Sequence, residues 1–150
     1  MWKDFIDKIK EEVGKYGEVL NEGADDTVVE TLSREVKSRF ALEVPQGYSD
    51  VLKYINGLEF NGYILYGIDE EIGNGCPEQP VHGIMEMNVI WHENEEQKIY
   101  LFLGESNISW YVYKVDTDEY LELDNPSGSI VERYGSFVEM LGHMLEESLL

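Results

Sequence analysis

Val44-Pro45-Gln46-Gly47-Tyr48-Ser49-Asp50-Val51-Leu52-Lys53-Tyr54-Ile55-Asn56-Gly57 reads as a complete helix with its own start and stop signals. Proline suits a first helical turn, because its missing N–H has no intrahelical partner there and its ring presets φ. Asn56 and Gly57 suit the end, since both tolerate the left-handed conformation that often closes a helix. Tyr48, Val51, Leu52 and Ile55 fall at i, i+3, i+4 and i+7, which makes one apolar stripe. So short a helix is marginal alone, so the rest of the chain must supply the surface on which the stripe docks.

Working outward, Trp2, Phe5, Ile6, Ile9 and Val13 keep helical spacing, with Lys, Asp and Glu between them, up to Gly14 and Gly17. After a polar link from Asn21 to Asp26, Thr27 and Glu30 form a capping-box pattern, followed by Val28, Leu32, Val36 and Phe40 at helical period. C-terminal to the quoted segment the pattern becomes β-like. Tyr63 to Ile68, bounded by Gly62 and Gly67, predicts a buried strand, and residues 69–83, with three acids in a row and several Gly and Pro, predict a long loop. Ile84 to Trp91 fits helical spacing, although Val89-Ile90-Trp91 also suits a strand; helix is the preferred reading. Ile99–Leu103, Trp110–Val115 and Glu119–Leu123 then predict an antiparallel meander, with turns at Gly104–Asn107, Asp116–Asp118 and Asp124–Gly128. Ile130–Tyr134 adds a short strand. Ser136 and Glu139 make a second capping-box pattern before Phe137, Met140, Leu141, Met144 and Leu145 at helical period.

The 150 residues suit one domain, spanning 1–150, with 43% apolar residues to fill a core. No apolar run approaches the ~20 residues of a membrane span, and the first segment is amphipathic, unlike a signal peptide. Cys76 is the only cysteine, which rules out an intramolecular disulfide and suits a reducing compartment; a cytoplasmic location is expected. The formal charge is −20, and a field of that sign repels nucleic acid and anionic lipid. It is unevenly spread: residues 1–53 carry 8 basic and 12 acidic side chains, residues 54–150 only 3 against 19. Solubility is one sufficient explanation of this charge, and a basic protein partner is the other.

The order and spacing of these pieces resemble the SUKH superfamily, and within it the bacterial YrhA-type branch of the Smi/Knr-like proteins. The residues that carry the resemblance are Val44, Pro45, Tyr48, Leu52, Asn56 and Gly57; Phe102-Leu103-Gly104-Glu105-Ser106; Trp110, Tyr111, Tyr113, Tyr120 and Leu123; and Ser136, Phe137 and Glu139. Relatives carry a Leu-Gly pair shortly before the proline, where this chain has Phe40-Ala41-Leu42-Glu43. The resemblance implies an α+β domain in which N-terminal helices and a C-terminal helix pack around a mainly antiparallel sheet, with no catalytic residue and no cofactor. It further implies an immunity protein that binds a bacterial toxin, often a nuclease or deaminase, or alternatively a regulatory or scaffold protein of the Smi/Knr type with no toxin partner.

The residues themselves offer little chemistry. His82, His92 and His143 show no HExxH and no i, i+4 pairing with one another, so no metal site is expected. A lone Cys76 in a Gly-Asn-Gly-Cys-Pro loop reads as a plain thiol rather than a nucleophile, and no P-loop, GxSxG elbow or dinucleotide fingerprint is present. What remains is acidic: Asp69, Glu70 and Glu71; Glu93, Glu95 and Glu96; Asp116, Asp118, Glu119, Glu122 and Asp124. Converging on one face, these clusters would steer a basic toxin, with Trp110 and Tyr111 as anchors, whereas scattered they are solvated surface and the aromatics belong to the sheet's core.

Overall fold

The computed structural model describes residues 1–73 and 77–150. Three helices, α1 (Trp2–Gly14), α2 (Asp26–Phe40) and α3 (Gln46–Tyr54), precede a hairpin of β1 (Leu58–Phe60) and β2 (Tyr63–Leu65). The short α4 (Glu70–Gly73) and then α5 (Ile84–Trp91) lead into β3 (Tyr100–Glu105), β4 (Ser109–Lys114), β5 (Glu119–Asp124) and β6 (Ile130–Tyr134), and α6 (Phe137–Ser148) follows. The strands lie in sequence order in one antiparallel sheet, β1-β2-β3-β4-β5-β6. The α+β class, the helical N-terminus, the meander and the closing helix are as expected. No helix among the described residues is long and apolar enough to cross a membrane.

Period-2 alternation sorts the strands onto two covered faces. Trp110, Val112 and Phe102 point one way, where Trp91 of α5 packs on Phe102 and Trp110. Tyr111 and Glu122 point the other way, beneath α6, which also packs against α1 and α3. A β4 strand buried on both faces explains why its sequence, Ser-Trp-Tyr-Val-Tyr, lacks polar alternation. Tyr48, Val51, Leu52 and Ile55 are fully buried, as their stripe requires.

Several boundaries differ from expectation. Pro45 stands outside α3 as its N-cap, extended at φ −68° and ψ 142°, and its carbonyl accepts from the N–H groups of Tyr48 and Ser49. The helix also stops earlier. Ile55 is already extended (φ −150°, ψ 124°), which still delivers its side chain to the core, so Asn56 and Gly57 are not the C-cap. Gly57, at φ +77°, instead passes Gly67 so closely that an added Cβ would sit 2.7 Å from the Gly67 Cα. The Thr27–Glu30 capping box does not form, because α2 begins at Asp26 with Asp25 as its N-cap and Thr27 lies inside the first turn. The predicted Tyr63–Ile68 strand ends at Leu65, and the unforeseen β1 pairs with it through an Asn61-Gly62 turn in which both residues have positive φ. The loop expected over 69–83 contains α4, and its Cys76 lies outside the described residues. Finally, β3 runs on through Gly104 and Glu105, so the turn to β4 is at 106–108.

Side-chain amides stand in for main chain at three places. Fully buried Asn88 donates to the Phe102 carbonyl (2.9 Å) and accepts from its N–H (2.8 Å), where the short β2 no longer reaches. Gln79 pairs in the same way with both main-chain groups of Glu59 on β1, and Asn21 with both of Gln79. Asn21, Gln79 and Glu59 thus strap the N-terminal link and the 77–83 segment to the sheet's first edge.

Candidate functional site

That strapping shapes a cleft. Its walls are the link after α1 (Asn21, Glu22, Gly23), the turn at Asn56, the segment Gly67–Glu71 and the residues leading into α5. Asn56 Oδ1 accepts from the Ile68 N–H at 2.8 Å, and Asn21 also donates to the Asn56 carbonyl, so the walls are held main chain to side chain. The cavity measures about 470 Å³ and is lined by six carboxylates, Glu22, Asp69, Glu70, Glu71, Glu78 and Glu86. No lysine, arginine or histidine is among the described lining residues. Such a concave anionic wall focuses its field on whatever approaches it.

Of the predicted acidic clusters, the structure brings only Asp69–Glu71 to this cleft, together with Glu22, Glu78 and Glu86, which sequence reasoning left out. Neither spacing nor composition marks those three, since only the strapping of distant loops makes them neighbours. Asp69 itself corrects the expectation of a docking residue: it is 6% exposed and accepts from the N–H groups of Met85 (2.8 Å) and Glu86 (3.0 Å), holding the start of α5. Glu70 and Glu71 beside it are exposed.

The other clusters lie elsewhere. Glu93, Glu95 and Glu96 sit beyond the C-terminal end of α5, about 12 Å along that helix from its start at the cleft. Asp116 and Asp118 lie in the β4–β5 turn and Glu119 opens β5, at the end of the sheet where Tyr100 opposes Lys114. All three basic residues of the acidic part gather here. Lys98 pairs with Glu95 at 2.8 Å and Arg133 with Glu119 at 3.4 Å. The Thr117 hydroxyl, then Arg133 and Lys114, hold the Glu119 carboxyl below its usual range. Asp118, in the left-handed region at φ 54°, accepts from the Tyr113 hydroxyl. This end of the sheet is partly neutralised, and the cleft is not.

Trp110 and Tyr111 are each 3% exposed and therefore cannot act as surface anchors. Trp110 packs between Trp91 and Phe102, with ring centroids 5.1 and 5.5 Å away, so both aromatics belong to the sheet's core. Glu122 is likewise buried at 9%. It accepts from the Ser109 hydroxyl (2.6 Å) and the Tyr134 hydroxyl (2.8 Å), with His143 Nε2 at 4.0 Å. Burial, then the Glu122 carboxylate, pushes the Tyr134 phenol well above its usual range. This cluster escaped sequence reasoning because its members come from β4, β5, β6 and α6. Ser109 donates to a carboxylate and not to the histidine, so the arrangement is not that of an activated nucleophile.

His92, the C-cap of α5, lies against Phe40 and bonds the Tyr100 carbonyl, His82 precedes the other end of that helix and His143 is on α6, so the histidines do not converge. Among the described residues no group of three or more His, Cys, Asp or Glu is disposed to hold a metal ion. No protein-family model matches the chain, and no curated protein matches it either.

Proposed function

We propose that this chain is a non-catalytic protein-binding domain of the immunity type, a SUKH-like protein that neutralises a basic bacterial toxin by direct contact. The observation that carries the reading is the cleft: six carboxylates with no cation in its described lining, on a frame strapped by Asn21, Asn56 and Gln79. Five of those carboxylates accept no hydrogen bond among the described residues and remain for a partner, with Asp69 the exception.

Trp110 and Tyr111 are committed to the core, so the anchoring side chains come from the partner. A lysine or arginine of the toxin enters the cleft, and arginine is favoured because its planar fork engages two carboxylates at once. Long-range attraction from a chain of net charge −20 raises the encounter rate, and occlusion of the toxin's substrate path does the rest. Co-expression with the products of neighbouring toxin-like genes tests this. The expected result is protection of the host together with copurification of one basic protein; failure of both across all neighbours removes the immunity reading.

A further inference from the structure

The two edges of the sheet are finished differently. At β1 the Gln79 amide occupies both main-chain groups of Glu59, as a neighbouring strand would. At β6 no amide does this among the described residues. Instead the Arg133 N–H donates to the Glu132 carboxylate (3.0 Å), and the Gly135 N–H, two residues on, donates to the Glu139 carboxylate (2.9 Å). Arg133 is on β6 and Gly135 is the first residue past its end, so the Glu132 carboxylate holds a donor that a further strand would use, and the Glu139 carboxylate one that a strand running on beyond β6 would meet. Beside them Ile130 and Val131 are 44% and 56% exposed, an unusual expense of apolar surface on an open edge.

We propose that the outer edge of β6 docks an extended, lysine- or arginine-bearing segment of a protein partner. Its main-chain carbonyls replace the carboxylates at Arg133 and Gly135, its cations pair with the released Glu132 and Glu139, and its apolar side chains cover Ile130 and Val131. Charge selects this occupant. Around the edge stand Glu119, Asp124, Glu132 and Glu139, against Arg133, which is already paired with Glu119, and Lys114, which lies opposite Glu119 on β4. A second copy of this chain fits badly. Antiparallel pairing of two β6 strands about a two-fold axis centred on Glu132 or Arg133 sets like charges opposite each other, and every register brings one acidic edge against another with no added cations to pair them.

The inference rests on the partner being basic, but it concerns a surface other than the cleft and is tested without the toxin. The 15N-labelled protein is titrated at low salt with a peptide of about ten residues alternating valine and lysine, long enough to span β6. Parallel titrations use a valine–glutamate peptide and a valine–lysine peptide N-methylated at alternate residues. The expected result is saturable shifts over 130–135 and slowed amide exchange at Arg133 and Gly135 with the first peptide only. Glu132→Gln with Glu139→Gln then weakens binding about tenfold, the worth of two exposed ion pairs. Glu132→Gln alone carries this comparison if the double variant loses its circular dichroism. Shifts confined to Glu70, Glu71 and Glu86, an equal response to the N-methylated peptide, no response at all, or protection of the same amides by self-association would each overturn the edge proposal. None of these would touch the co-expression result.

Discussion

Asn88 and Phe102 are joined as neighbouring strands are: the side-chain amide of one donates to the carbonyl of the other at 2.9 Å and accepts from its N–H at 2.8 Å. Both residues are fully buried, so neither main-chain group of Phe102 has water to fall back on. Asn88→Ala leaves a donor and an acceptor unmet and is expected to cost about 2–4 kcal/mol. Urea unfolding measures this, with Glu93→Ala as the surface comparison; equal midpoints for the two variants would show that the pairing contributes nothing.

Ala41 closes α2 in the left-handed region, at φ 56° and ψ 33°, with its N–H on the Lys37 carbonyl. A Cβ is disfavoured there by roughly 1–2 kcal/mol, partly offset by glycine's larger loss of chain entropy. Ala41→Gly is therefore expected to stabilise the fold by about 0.5–1 kcal/mol, seen as a higher urea midpoint with an unchanged slope.

Asp69 and Glu71 are two residues apart and have opposite duties. Asp69→Ala removes the acceptor at the start of α5 and is expected to cost about 1–2 kcal/mol. Gly83→Ala strikes the same contact from the other side, since its Cβ would overlap the Asp69 carboxylate. Glu71→Ala changes stability by less than about 0.5 kcal/mol, because its side chain is exposed. Thermal melts of the three variants separate frame from binding surface, and a loss for Glu71→Ala as large as for Asp69→Ala would merge them.

His92 gives the fold a pH dependence. Its Nε2–H donates to the Tyr100 carbonyl, and burial holds its pKa below the ordinary 6.5, with nearby Lys98 acting in the same direction. As pH falls below 6.5 the unfolded chain takes up a proton that the folded chain resists, so stability is lost until the depressed folded value is passed. Urea midpoints at constant ionic strength should fall between pH 7.5 and 5.5, less steeply in His92→Gln. Identical slopes in the two proteins would remove His92 as the cause.

The helices and meander were legible because their signals are local. Tyr48 to Ile55 and Phe137 to Leu145 keep their period over two or more turns, and alternating runs separated by polar turns leave few alternatives. What failed depended on distance. Asn56 and Gly57 look like a helix stop, yet their conformation answers to Gly67 and Ile68. The hairpin of β1 and β2 is not legible although Asn61-Gly62 is a strong turn signal, because three-residue strands show too little alternation to register. Three acids in a row mark a loop that lines the cleft, but only the fold shows that Asp69 is a cap and that Glu22, Glu78 and Glu86 join it. The clusters at Glu93–Glu96 and Asp116–Glu119 have Lys98 and Lys114 two residues away in sequence, whereas Arg133 reaches Glu119 only through the pairing of β5 with β6.

The central claim is that the uncompensated cleft captures a basic partner. Its most direct test is the association rate of this protein with the basic protein that copurifies with it, measured by stopped flow from low to high salt for the wild type and for Glu70→Gln/Glu71→Gln/Glu78→Gln/Glu86→Gln. The expected result is a rate that falls at least about tenfold with salt in the wild type, and a variant that associates slowly at low salt with little salt dependence left. Rates for the two proteins that coincide at every salt concentration would contradict the claim and place the contact away from the cleft.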